Sequence, residues 1–153
     1  MCEVKHEDRK LVKARESHFE LSNVFCNGRE LDPTDLNNLT YALSRVRLPD
    51  VVNDGMVTEF SSMEMVFLDF VGVDLGSVLR KMVASKDVSV EIDLYEPDGE
   101  VRKKILFIST GKRRLDGGYL DYSSSDYRTF VVEFEEFSMY EDTMFIFKRC
   151  VLD

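Results

Sequence analysis

Val88-Ser89-Val90-Glu91-Ile92-Asp93-Leu94-Tyr95, Glu96-Pro97-Asp98-Gly99 and Glu100-Val101-Arg102-Lys103-Lys104-Ile105-Leu106-Phe107-Ile108 together form the stretch that decides the fold class. Val88, Val90, Ile92 and Leu94 alternate with Ser89, Glu91, Asp93 and Tyr95, the period of two that gives a strand one buried and one wet face. Pro97 presets φ for the first corner position and Gly99 accepts positive φ, so 97–99 is read as a turn. The return strand, 100–108, carries Arg102, Lys103 and Lys104. Pairing these cations across the hairpin with Glu91 or Asp93 adds a few tenths of a kcal/mol each, in rough terms, and fixes the register.

Working outward, residues 56–70 are rich in strand formers, with Met63, Met65, Phe67 and Asp69 on one strand face and Glu64, Val66, Leu68 and Phe70 on the other. After it, Asp74 can cap a helix over about 74–85, with Leu75, Val78, Leu79, Met82 and Val83 at the helical spacing. Asp32 followed by Pro33 is a second helix start. There a short helix over about 33–44 competes with a loop. Pro49 forces 46–48 to be extended. Asn27-Gly28 and Asn53-Asp54-Gly55 read as turns, and 19–25 as a first strand with Phe19, Leu21 and Phe25 on one face. Residues 127–137 and 144–152 read as closing strands. The resulting class is mainly β, a sandwich or barrel of antiparallel strands with one flanking helix and one possible short helix. Residues 1–17 form a charged N-terminal arm, and 18–153 a single β-rich domain.

Composition narrows function. With 29 acidic against 20 basic residues the formal charge is -9, which argues against sequence-specific nucleic-acid binding because phosphates need cations. Such acidity gives solubility, and it also suits a channel through which nucleic acid slides without sticking. No apolar run approaches the ~20 residues of a membrane span. Nothing near Met1 marks secretion, so cytoplasmic synthesis is expected. Cys2, Cys26 and Cys150 are too scattered for a zinc site, and Cys26 and Cys150 read as small strand hydrophobes.

Chemistry finds little purchase. His occurs only at His6, in the arm, and His18, at a strand entrance, and neither adjoins a nucleophile motif. Glu135-Glu136 and Glu141-Asp142 are paired carboxylates, but consecutive strand residues face opposite ways. The loop 110–118 contains glycines and cations without the spacing of a phosphate cradle, and it reads as a solvated or interface loop. No catalytic residue, cofactor or metal is expected.

Gly118-Tyr119-Leu120-Asp121-Tyr122-Ser123-Ser124-Ser125-Asp126, leading into Arg128-Thr129-Phe130-Val131-Val132-Glu133-Phe134, resembles the C-terminal signature of bacteriophage tail tube proteins. In order before it, 19–25 is similar to that family's first strand, Arg47-Leu48-Pro49 to its Leu-Pro step, and 63–85 to its strand-and-helix middle. The hairpin at 97–99 is similar to the one that precedes the closing segment. The resemblance covers about residues 19–140. It implies a non-enzymatic subunit of stacked, hexameric rings whose sheets join into a β-barrel. Implied partners are other copies of the chain, other tail or baseplate proteins, and tape-measure protein and DNA in the lumen; no membrane is involved. The implied place is the virion tail, after synthesis in the host cytoplasm. Within this picture Glu91, Asp93, Glu133 and Glu135 are candidate lumen carboxylates that repel phosphates, and Lys112, Arg113, Arg114, Tyr119 and Tyr122 are candidate inter-subunit contacts. The chain departs from the family in having no Trp, in its charged arm and in the run 143–152. Main tube subunit, baseplate initiator and terminator all stay open. Two other readings compete: a monomeric β-rich binding or adaptor module using 112–122, and an enzyme whose Glu135 and Glu141 meet in one cleft.

Overall fold

A computed structural model describes residues 18–53, 55–56, 58–118 and 120–142. The alternating stretch folds as read, with β7 (Val88–Tyr95) and β8 (Val101–Ser109) forming an antiparallel hairpin that pairs Val90 with Phe107 and Ile92 with Ile105. Gly99 has φ 89°, its N–H donates to the Glu96 carbonyl at 2.9 Å, and Asp98 accepts from the Glu100 N–H at 3.0 Å. Val88, Val90, Ile92, Ile105 and Phe107 are buried on one face. Asp93 is also buried, 6% exposed, although alternation puts it on the wet face. Ser22 from the neighbouring strand donates to it at 3.1 Å and Lys104 lies 3.5 Å away, so its cover comes from strands that periodicity cannot see.

That neighbour is β1 (Phe19–Cys26), antiparallel to β7, with β2 (Arg29–Glu30) beyond it and β11 (Ser138–Asp142) on the far side of β8. The five-stranded sheet runs β11-β8-β7-β1-β2. A bulge between Leu21 and Asn23 shifts the parity of β1. Leu21, Val24 and Cys26 are therefore the buried residues, and Phe25, expected beside Leu21, turns to the outer face beside Ser89. Asn27 and Gly28 both have positive φ, 54° and 76°, as a two-residue hairpin turn demands. Cys26 is a free thiol whose pKa is pushed up by burial, as befits a small hydrophobe. Cys2, Cys150 and His6 lie outside the described residues, as do the arm 1–17 and the expected strand 144–152.

The second sheet runs β3 (Leu43–Arg47), β6 (Met63–Leu68), β10 (Thr129–Phe134), β9 (Arg113–Asp116). Met63, Met65 and Phe67 face inward, opposite Phe134, Val132 and Phe130 of β10. Strand β9 replaces part of the loop expected over 110–118. Leu115 and Arg113 turn inward in alternation with Arg114 and Asp116, which lets the segment pair with β10. Both helices start where their caps predict. α1 (Pro33–Ala42) follows Asp32, which accepts from the Thr34 N–H at 3.2 Å, and α2 (Leu75–Ala84) follows Asp74, which accepts from the Ser77 N–H at 3.2 Å. α1 stops at Ala42 because Leu43 joins β6 opposite Phe67. Buried side chains from both sheets and both helices form one apolar cluster. The architecture is thus mainly antiparallel β with two helices.

Candidate assembly surfaces

Apart from Tyr140 on β11, the exposed large apolar residues lie toward the two ends of the β6/β10 pair. At the Met63 end, β4 (Val51–Asn53) and β5 (Thr58–Phe60) form a separate two-stranded hairpin. Val51, Val52, Met56 and Phe60 are exposed on it. Such a ribbon is marginal alone. Here its base is fastened by the Ser61 N–H donating to the Asp50 carbonyl at 2.9 Å, and by the Phe60 ring lying 6.1 Å from that of Phe137. The sequence contained the signal, apolar residues flanking the Asn53-Asp54-Gly55 turn, but it did not say that Val51, Val52 and Met56 face solvent.

At the Leu68 end, Tyr41, Phe70, Val71, Leu120, Tyr122 and Tyr127 are exposed together. Tyr41 and Phe70 are in ring contact at 5.4 Å. The Asp69 N–H donates to the Arg128 carbonyl at 3.0 Å and the two side chains pair at 3.1 Å, which ties the segment after β6 to the one before β10. Arg128 also covers the Phe130 ring at 4.6 Å. Between Leu120, Tyr122, Tyr127 and Arg128 lies an open cleft of about 690 Å³. Tyr122, singled out as a contact residue, is fully exposed in this group, and Tyr119 lies outside the described residues. The two apolar ends are separated by the six residues of β6, about 20 Å of strand.

The candidate lumen carboxylates divide between the sheets, and each has a cation beside it. Glu91 and Asp93 share Lys104, at 2.9 and 3.5 Å, and the hydrogen bond that the ammonium donates to Glu91 holds it above its ordinary pKa. Glu133 is 9% exposed, stands directly opposite Glu64 on β6, and meets Arg114 at 3.6 Å. Glu135 pairs with Lys112 at 3.1 Å, and that hydrogen bond lowers its pKa. Lys112 and Arg114 remain exposed. Arg113 does not: its guanidinium turns inward and donates to the carbonyls of Val83, Ser85 and Ser109. Within the chain it ties α2 to both sheets, a role that its place in a run of three cations hid. Glu135 and Glu141 do not meet. The first binds Lys112 beyond the end of β8 and the second Lys103 near its start, with about 20 Å of strand between.

Burial, together with hydrogen bonds that its protonated carboxyl donates to Glu135 and Glu64, raises the pKa of Glu133. A carboxyl raised on folding contributes stability below its unfolded value, near ~4.3, and loses it as pH rises through the folded value. Glu133→Gln should therefore raise the urea midpoint at neutral pH and leave it unchanged in acid. An equal rise at both would assign the effect to packing instead of ionisation.

No family model matches the sequence, and no curated protein matches it. Solved structures do match. A chain in the six-fold symmetrised cryo-EM structure of the anti-feeding prophage baseplate superposes with a TM-score of 0.56 at 13% identity, covering 88% of this chain and 98% of that one. A chain in the structure of the anti-feeding prophage cap, the tube-terminating cap, gives 0.53 at 11% identity over 92% and 99%. A chain in the sheath/tube terminator of an extracellular contractile injection system in its extended state gives 0.53 at 11% over 87% and 99%. At these identities what is shared is the fold, end to end. It agrees with the fold that the tail-tube resemblance implied.

Proposed function

We propose that this chain is a structural subunit of a phage tail or tail-like injection particle, where it assembles with copies of itself in a six-fold ring at the tube or one of its ends. The observation that carries the reading is the pair of exposed apolar surfaces at opposite ends of one sheet, in a fold shared with baseplate and tube-terminating chains. A patch at each end, neither a copy of the other, suits head-to-tail contacts between copies better than a two-fold dimer. Joining sheets side by side would also cover β3, β9 and β11, which end the two sheets among the described residues.

In this reading the ring encloses a channel for DNA and tape-measure protein, and other tail or baseplate proteins bind its faces. The channel wall falls to the outer face of the β3-β6-β10-β9 sheet, with Glu64, Glu133 and Glu135. Glu91 and Asp93 are the weaker candidates because one Lys104 serves both. The particle is the chain's final location, after synthesis in the host cytoplasm.

Negative-stain imaging and sedimentation of the purified protein test this. Rings or short stacks are expected at high concentration. Two doubly charged variants, Val51→Asp with Val52→Asp and Tyr122→Asp with Tyr127→Asp, should stay folded by circular dichroism yet remain monomeric, since all four positions are exposed. A wild-type chain that stays monomeric at every concentration would instead favour a binding module using the Tyr122–Tyr127 cleft.

A further inference from the structure

The outer face of the five-stranded sheet has an unusual composition for a face turned to water. The register aligns Asn23, Glu91, Leu106 and Tyr140 in one row across β1, β7, β8 and β11, and Phe25, Ser89, Ile108 and Ser138 in the next, with Glu30 of β2 opposite Phe25. Phe25, Leu106 and Ile108 are only half-buried there, and Tyr140 is exposed. Between them lies an open groove of about 370 Å³, lined by Phe25, Ser89, Glu91, Lys104, Leu106 and Tyr140. It crosses β11, β8, β7 and β1, three strand spacings or about 14 Å.

Charge on this face is one-sided. A third row, Glu20, Asp93 and Lys104, borders the groove on the Tyr95 side. Glu20, Glu30, Glu91 and Asp93 thus stand against Lys104, whose ammonium is already shared by Glu91 and Asp93 at 2.9 and 3.5 Å. Glu141, at the rim, is held by Lys103 at 2.6 Å. The Tyr95 hydroxyl donates to Glu20 at 2.7 Å, and its pKa is pushed up to about 12 by burial, by that bond and by the negative charges of Glu20 and Asp93.

A surface that is apolar along one groove and acidic around it selects its partner. Nucleic acid and anionic membrane are repelled. A second copy laid face to face brings the same carboxylates, from a chain whose formal charge is -9. A segment lying on a sheet face, unlike one at a sheet edge, finds no backbone partners beneath it, which favours a helix with its hydrogen bonds internal. About 10 helical residues span the groove.

We propose that this groove is a docking site for a basic amphipathic helix of another protein. Its apolar side chains seat along Phe25, Leu106, Ile108 and Tyr140, and its Lys or Arg side chains reach Glu20, Glu30 and Glu91. The face lies across the shared core from the sheet assigned to the channel wall, and a chain that forms no rings still presents it.

Two synthetic helices of about 12 residues are the probes, one built from Leu, Phe and Lys and its twin with Glu for every Lys. They are titrated into the full chain at a concentration where it sediments as a monomer. The Lys peptide should bind, and Tyr140→Ser and Glu91→Lys should each weaken it about tenfold. Should Glu91→Lys fail to fold, Glu30→Lys at an exposed position replaces it, with a weakening of about threefold. No binding by the Lys peptide, equal binding by its Glu twin, or indifference to the substitutions overturns the proposal. A benzophenone side chain in place of Tyr140 then identifies the occupant. In the presence of the Lys peptide it should attach to that peptide. Attachment instead to a second copy, or to residues of its own chain remote from the groove, overturns the proposal, and mixed light and heavy isotope-labelled protein tells the two apart. Ring formation is scored separately, by sedimentation at high concentration, so failure of the ring reading and failure of this one are distinct results.

Discussion

Phe107→Ala is expected to lower the stability of the folded chain by about 3–5 kcal/mol, the range for deleting a buried aromatic side chain whose cavity the surroundings cannot fill. Phe107 has no exposed surface and sits on β8, the strand held between β7 and β11. Its ring meets Phe137 edge-on at 5.8 Å, and Phe137 in turn lies 6.1 Å from Phe60 at the base of the exposed hairpin. Removing the ring takes away core burial and the seat of that aromatic chain together. Two strand partners fix the backbone on either side, so collapse into the void is limited. Urea unfolding followed by far-ultraviolet circular dichroism measures it. A loss below about 1 kcal/mol would mean that the two sheets close over the cavity, and that they are less rigidly spaced than the core implies.

Phe137→Ala makes the contrast. Its ring is only partly buried, so the global loss should be smaller, while the hairpin loses the ring on which Phe60 rests. Hydrogen exchange at Val51–Asn53 would then quicken more than exchange in β8.

Where local chemistry sufficed, the sequence could be read directly. Pro97-Asp98-Gly99, the caps at Asp32 and Asp74, and the alternations in β6 and β7 each need only a few neighbouring residues, and each appears where expected. Failures came where a distant strand decides. The bulge in β1 turns Phe25 outward, and nothing between Phe19 and Cys26 announces it, because the extra residue answers to β7. Asp93 is polar in an outward position, yet Ser22 and Lys104 close over it. The surfaces proposed for assembly were half legible. Tyr122 and the cations Lys112 and Arg114 are exposed, but around the β4-β5 hairpin the sequence shows only a turn at 53–55 and strand formers from 56 on, not an outward-facing ribbon, since apolar strands normally signal a core and these face out.

Arg113→Met should cost about 3 kcal/mol, an effect far larger than a surface cation warrants, because the side chain is an internal strut. One guanidinium nitrogen donates to the Ser109 carbonyl at 2.9 Å and to its hydroxyl at 3.2 Å, another to Val83 at 3.4 Å, and the third to Ser85. Val83 and Ser85 are at the C-terminal end of α2, where carbonyls lack helical partners and a cation is favoured. Ser109 is fully buried at the end of β8. Arg113 thus fastens the helix to both sheets at one point, and methionine of similar length would leave three carbonyls short of a donor. Arg113→Lys separates charge from geometry: a single ammonium cannot reach the same set of acceptors, so it should recover less than half of the loss. Urea unfolding of the three proteins measures both steps. Should the lysine variant match wild type, the strut is electrostatic, and raising salt would then weaken wild type as well, whereas a forked hydrogen-bond network buried between helix and sheets responds little to salt.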